Sequence, residues 1–111
     1  MMIANRVLNF SGENGNIKIP IRIFAPERKG AAEWSCRFEI DWPDDRRKAA
    51  AVGLDSVQAI VLALQMIGTE IYATNYHKTG KLFLEFPGRG YGFPVTAGLR
   101  DLLVGDDAKY F

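Results

Sequence analysis

The sequence predicts an α+β domain. A sheet of four to five antiparallel strands carries one long helix on its apolar face and a short C-terminal helix after it, in the order β-β-β-β-α-β-α. Two patterns carry this prediction. Trp34, Cys36, Phe38, Ile40 and Trp42 alternate with Ser35, Arg37, Glu39 and Asp41, the period of a strand with one buried face. Val57, Ile60, Val61, Leu64, Ile67, Ile71 and Tyr72 recur at helical period and form one wide apolar stripe. Antiparallel strands followed by a helix suggest a meander with the helix laid across it.

Residues 3–10 form the first strand, with Val7, Leu8 and Phe10 as its apolar members. Ser11–Asn16 is a turn cluster, in which Asn14-Gly15 supplies the positive φ of a tight hairpin. Ile17, Ile19, Ile21 and Ile23 alternate with Lys18, Pro20 and Arg22, again at period two. Pro20 removes a donor from the ladder, which predicts an edge position or an irregularity. Residues 26–30 read as a polar loop before the strand at 34–42. Pro43-Asp44-Asp45 is a turn, because proline presets φ and aspartate closes the turn with its side chain. Residues 46–52 return antiparallel, against the helical preference of their alanines. Asp55 caps the long helix, and Gln58 follows at the spacing of a capping box. That helix is predicted to run to about His77, where His77 and Lys78 suit the negative end of the dipole. Gly80 supplies a left-handed stop. Lys81–Phe86 reads as a fifth strand, Pro87–Pro94 as a glycine-rich loop, and Thr96–Val104 as a helix with Leu99, Leu102 and Leu103 on one side.

A chain of 111 residues forms one domain, residues 1–111, with a core of its own. Hydrophobic residues at 48% and charged residues at 24% exclude disordered, collagen-like and coiled-coil classes. The net charge of +1 gives no general attraction to nucleic acid or to an anionic membrane. One cysteine excludes an intrachain disulfide, and one histidine excludes most histidine-built metal sites. Met1–Arg6 lacks a signal-peptide pattern. The stretch Val57–Ile71, interrupted by polar residues, reads as too short and too polar for a membrane span. The expected location is cytoplasmic, which the lone Cys36 fits. No cofactor is expected.

Few residues could carry chemistry. His77 would need Cys36 or an aspartate beside it. Cys36 shares a face with Trp34 and Phe38 and reads as a small buried residue, and His77 as a helix terminus. No catalytic residue is assigned. Asp44-Asp45 and Asp106-Asp107 are the densest acidic pairs, but they sit beside turn or terminal residues without calcium-loop spacing. They read as solvated, and no metal site is expected. The run Gly88-Arg89-Gly90-Tyr91-Gly92-Phe93-Pro94 is the most unusual. Glycine-rich loops can present backbone N–H groups to phosphate. This one lacks the Lys-Ser/Thr ending of a phosphate loop and the spacing of a dinucleotide site. It reads first as a tight connection and second as a small binding loop with Arg89 and Tyr91 as contacts. Lys18, Arg22, Arg37, Arg46, Arg47 and Lys48 read as one polar sheet face. Glu39 and Asp41 interleave there, which argues against nucleic acid.

Opposite the main stripe of the long helix, Ala59, Leu62, Met66 and Ala73 form a second, narrower apolar strip. A helix apolar on two sides is covered on both. Either the C-terminal leucines and Phe111 fold back over this strip, or a second copy packs on it. In the second case Leu62 and Met66 are the contacts, with Ala59, Ala63 and Ala73 permitting close approach in a two-fold homodimer.

Trp34-Ser35-Cys36, then Gly53-Leu54-Asp55-Ser56-Val57-Gln58-Ala59-Ile60, then Gly92-Phe93-Pro94 together resemble a family of small bacterial proteins known only as a domain of unknown function. The resemblance spans roughly residues 34–94 and leaves the first 30 residues outside it. It implies a one-domain bacterial protein, and no activity, cofactor or catalytic residue.

The leading expectation is a small soluble, non-enzymatic domain acting through protein contacts, with self-association and a still unidentified protein partner. A small-ligand or peptide binder using Gly88–Pro94 is second. An enzyme is third, disfavoured by the scarcity of His, Cys and clustered polar residues.

Overall fold

The computed structural model describes Met1–Phe111 and is α+β. Strands β1 (Met2–Gly12), β2 (Gly15–Phe24), β3 (Glu27–Gly30), β4 (Glu33–Asp41), β5 (Arg46–Gly53) and β6 (Leu82–Phe83) form one six-stranded antiparallel sheet. β5 pairs with β4 from Trp34 to Asp41 along one edge. β2 and β3 share the other edge, β2 opposite Phe38–Ile40 and β3 opposite Glu33–Ser35. They are two halves of one arm interrupted at Ala25-Pro26. The sheet is therefore the expected meander, with β6 added on the far side of β1.

The strand ends depart from the sequence expectations for local reasons. Residues 27–30 are a strand, not a loop: their charged side chains face solvent while their backbone completes the edge of β4. β2 is internal only at Ile21–Ile23, where β4 pairs with it; from Gly15 to Pro20 its side away from β1 is open, so Pro20 lies on an edge stretch as its missing donor predicts. In the first hairpin Gly12 pairs with Gly15, so Glu13-Asn14 make the turn and only Gly15 takes a positive φ, 123°. β6 is Leu82–Phe83 alone, shorter than the predicted strand at 81–86, because only Asn9 and Phe10 of β1 meet it in register.

Helix α1 (Ser56–Ala73) starts where the cap predicts. The Gln58 amide donates to Asp55 Oδ1 at 2.8 Å, and the Leu54 amide donates to Gln58 Oε1 at 2.6 Å. The face it turns to β4 and β5 keeps Ile67 and Ile71 of the predicted stripe but begins on Ala59 and Ala63 in place of Val57 and Val61. Ala59, Ala63, Ile67 and Ile71, spaced by four, are each 0% exposed, while Val57 and Val61 are 67% and 44% exposed. Close packing selected the small residues: a Cβ on Gly53 of β5 would overlap the backbone at Gln58-Ala59. The alanines at 59 and 63 thus bring the helix close to its own sheet. By length and composition alone α1, at mean hydropathy 1.3, is long and apolar enough to cross a membrane, contrary to the sequence reading. Its buried row against the sheet is that of a core helix.

The helix also ends early. Thr74 is extended (φ −79°, ψ 155°); its hydroxyl donates to the Ile71 carbonyl at 2.7 Å and accepts from the His77 amide at 3.2 Å. One residue therefore stops α1 and caps the one-turn α2 (Asn75–Lys78), which holds His77. Gly80 follows with φ 74°, the left-handed stop the sequence predicts. Tyr76 of α2 stacks on Trp42 at 5.2 Å and meets Phe10 edge-on at 5.0 Å, closing one end of the core.

The tail crosses α1 at Gly68, where a Cβ would overlap the Pro94 carbonyl oxygen. The Thr96 amide donates to Thr69 Oγ1 at 3.3 Å. The fold-back over α1 is therefore made by Phe93-Pro94, ahead of the leucines. The predicted helix at 96–104 is a 3-10 helix, Ala97–Leu102, and a further helix α3 (Gly105–Tyr110) follows it. Leu103 is buried and Leu99 half-buried, but Leu102 and Phe111 are exposed.

Candidate functional site

The most concentrated polar chemistry lies where this tail meets α1. Gly88, Gly90 and Gly92 all take positive φ, at 79°, 88° and 78°. The alternation turns the successive N–H groups of Tyr91 and Gly92 to one side, the backbone form that binds anions. The anion is supplied by the chain itself. Asp107 of α3 is 1% exposed. Its Oδ2 accepts from the Tyr91 amide at 2.8 Å and from the Tyr72 hydroxyl at 2.6 Å, and its Oδ1 accepts from the Gly92 amide at 2.7 Å. At Gly90 the requirement is steric as well, because a Cβ would fall 2.5 Å from the Asp107 carboxyl carbon.

Tyr72 comes from the last turn of α1 and links the carboxylate to the tail backbone, its hydroxyl accepting from the Val104 amide at 3.3 Å. Burial first and Asp107 second push the Tyr72 phenol well above its usual pKa. Tyr91 and His77 extend the cluster, with His77 Nδ1 hydrogen-bonded to the Tyr91 hydroxyl at 2.5 Å. The rings of Tyr72, His77 and Tyr91 pack edge to face at 4.7–5.6 Å. Burial lowers the His77 pKa and raises that of Tyr91 to about 12, so both groups are neutral near pH 7.

This arrangement fastens α1, the glycine loop and the tail to one another. It holds no activated nucleophile. Cys36, the other half of the pair considered from sequence, is fully buried and donates to the Phe24 carbonyl at 3.3 Å, and burial pushes its thiol pKa up. No group of three His, Cys, Asp or Glu side chains has the arrangement of a metal site.

The candidate contacts from sequence are dispersed. Tyr91 is buried and belongs to the cluster just described. Arg89 stays exposed at the rim of a cleft of about 350 Å³, lined also by Glu85, Phe86, Asp106, Tyr110 and Phe111. It sits 3.4 Å from Asp106. Leu62 and Met66 lie on the flank of α1, half-buried and packed against the core. Asp107, read as solvated, is the residue most misjudged from sequence. The legible signal was the alternate-glycine rhythm of the loop, which called for an anion without saying whose.

Basic residues on the sheet are also resolved. Arg47 leaves the outer face and pairs with Glu70 of α1. On that outer face Arg22 bridges Glu39 and Asp41, Arg46 joins Asp41, and Arg37 lies over the Phe24 ring.

The motifs Trp34–Cys36, Gly53–Ile60 and Gly92–Pro94 occupy joints of this fold: β4, the β5–α1 junction, and the crossing of the tail over Gly68. The family model described as Domain of unknown function (DUF6968) matches residues 4–95. The chain belongs to that family. The DUF6968 match takes in β1 and β2, which the sequence resemblance left outside. It contains Tyr72, His77 and the glycine loop, and stops before Asp107. Neither a curated protein nor a solved structure matches the chain.

Proposed function

We propose that this domain works through protein contact rather than catalysis, and that its contact is with a second copy of itself. The observation that carries this is the free edge of β1. β6 covers β1 only at Asn9 and Phe10, extended by the Ser11 amide donating to the Lys81 carbonyl at 3.1 Å. From Met2 to Leu8 no strand pairs with β1 on the side away from β2. Natural proteins guard such edges with charge, proline or a covering segment. This stretch has no proline, and its one charge is engaged: the Arg6 guanidinium donates to the Tyr91 and Gly92 carbonyls at 3.2 and 2.7 Å. Met2, Ile3 and Val7 are 46%, 46% and 42% exposed. An apolar groove of about 380 Å³, with Val61, Leu64, Phe93 and Phe111 in its wall, adjoins Ala4–Arg6.

A second copy suits this edge. Antiparallel pairing about a two-fold axis at Asn5 sets Ile3 opposite Val7, and Arg6 opposite the small Ala4, with no like charges opposed. Leu62 and Met66 are less suited to form the primary contact, because they already pack against the core. Light scattering at high micromolar concentration is expected to give the mass of two chains. Val7→Lys puts a charge on the exposed strand face and is expected to give one chain with an unchanged circular dichroism spectrum. A wild-type mass of one chain removes the proposal.

A further inference from the structure

We propose that the Gly88–Gly92 loop and the Tyr72 hydroxyl form a binding site for a carboxylate, and that Asp107 is its exchangeable occupant, standing in for the carboxylate of an acidic peptide. The geometry is specific to this group. Each carboxylate oxygen meets its own amide, Gly92 for one and Tyr91 for the other, and the phenol adds a further donor to the second. Capture of a carboxylate in such a backbone nest is a recurring mode of peptide recognition.

The cradle and its occupant belong to different parts of the chain. Tyr72, Tyr91 and Gly92 lie inside the family region, residues 4–95, and Asp107 lies beyond it. The occupant's element is also lightly held. Asp107 is the one buried residue of α3, while Asp106, Ala108, Lys109 and Tyr110 are exposed. The other polar ties between α3 and the loop are the Asp106 amide on the Arg89 carbonyl at 2.9 Å and the solvent-exposed Arg89–Asp106 pair. An exposed pair of that kind contributes little. The cleft beside the cradle exposes Phe86 and Arg89, an apolar wall and a cation for residues flanking an incoming carboxylate. Asp107 holds the site by tethering, which gives it an effective concentration in the millimolar range that a free peptide must match.

Two measurements on the full chain test this, and neither depends on self-association at β1. In Asp107→Ala the cradle is vacated. Sodium formate is expected to raise the Tm of this variant by about 5 °C at ten times its Kd, relative to sodium chloride at equal ionic strength. Wild type is expected to show no formate-specific rise, and adding Tyr72→Phe to the variant is expected to weaken the effect severalfold. In the wild-type protein, millimolar peptide of the sequence of residues 103–111 is expected to shift the amide resonances of Tyr91 and Gly92. The same peptide with alanine in place of its second aspartate is expected not to shift them. No formate-specific rise in a folded Asp107→Ala variant overturns the carboxylate site. No peptide-induced shift in wild type overturns the exchange, and decides the question alone if the variant does not fold.

Discussion

Two open edges of the sheet, those of β5 and β1, are built on opposite principles. β5, at one end, carries Arg46, Arg47 and Lys48 along its first half, with Arg46 tied to Asp41 and Arg47 to Glu70. An incoming strand there would meet cations and would have to displace ion pairs. β1, at the other end, offers Met2–Leu8 with its single charge turned onto the chain's own tail. An edge can thus be closed by charge or left open, and this molecule does one at each side. The difference also locates the tail: Arg6 bonds to the carbonyls of Tyr91 and Gly92 while Asp107 takes the amides of the same two residues. The open edge of β1 and the carboxylate cradle share one short segment.

The largest effect is expected where both edges rest on common ground. Phe38 is 0% exposed in β4, at the centre of the sheet. Phe38→Ala should cost about 3–5 kcal/mol, read by denaturant unfolding, and should weaken both ends together. A loss below about 1 kcal/mol would mean that the sheet face is misassigned.

Gly68→Ala separates the ends. In an ordinary helix interior this change stabilises by about 1 kcal/mol. Here the new Cβ would overlap the Pro94 carbonyl, so a loss of about 1–3 kcal/mol is expected instead. Hydrogen exchange should show faster amides at Tyr91 and Gly92 with β5 unchanged. A stabilised variant would show that the tail does not cross the helix there.

Asp55→Ala acts near the guarded end, where α1 leaves β5. Loss of the cap should cost about 1 kcal/mol in thermal or denaturant unfolding and leave the mass by light scattering unchanged. A change in mass would mean that the contact is not confined to β1.

Acid should loosen the two ends in sequence. His77 has its pKa lowered by burial, so the unfolded chain binds the proton first. Its contribution is full above the unfolded value of about 6.5 and is lost as the pH falls through the depressed folded value. Asp41 is held below the ordinary carboxylate range by its hydrogen bond to Arg22, against a smaller opposing effect of burial. Its contribution therefore persists to about pH 4 and fades below. The protection factor of the Tyr91 amide, with the intrinsic pH dependence of exchange removed, should fall as the pH drops below about 6.5 while those of β4 hold, and His77→Gln should flatten the fall.

Period-two alternation named β2 and β4 and their faces, because side chains on a strand choose between only two sides. The cap Asp55 and the stop Gly80 were legible for a similar reason, since each answers to its own few neighbours. The strand at Glu27–Gly30 was not, because its sequence is polar and only the neighbouring edge of β4 makes it a strand.

What the sequence by itself determined is the order of the main elements and the antiparallel meander. Tertiary structure alone decided which side of α1 meets the sheet. Both sides are apolar; at the start of the helix the close approach of Gly53 to Ala59 leaves room only for a small side chain, while farther along Ile67 and Ile71 fill the same face. It also decided the fate of the glycine loop. Alternate glycines prepare an anion nest from local geometry, but that Asp107, fifteen residues beyond Gly92, fills it depends on where α3 returns in space.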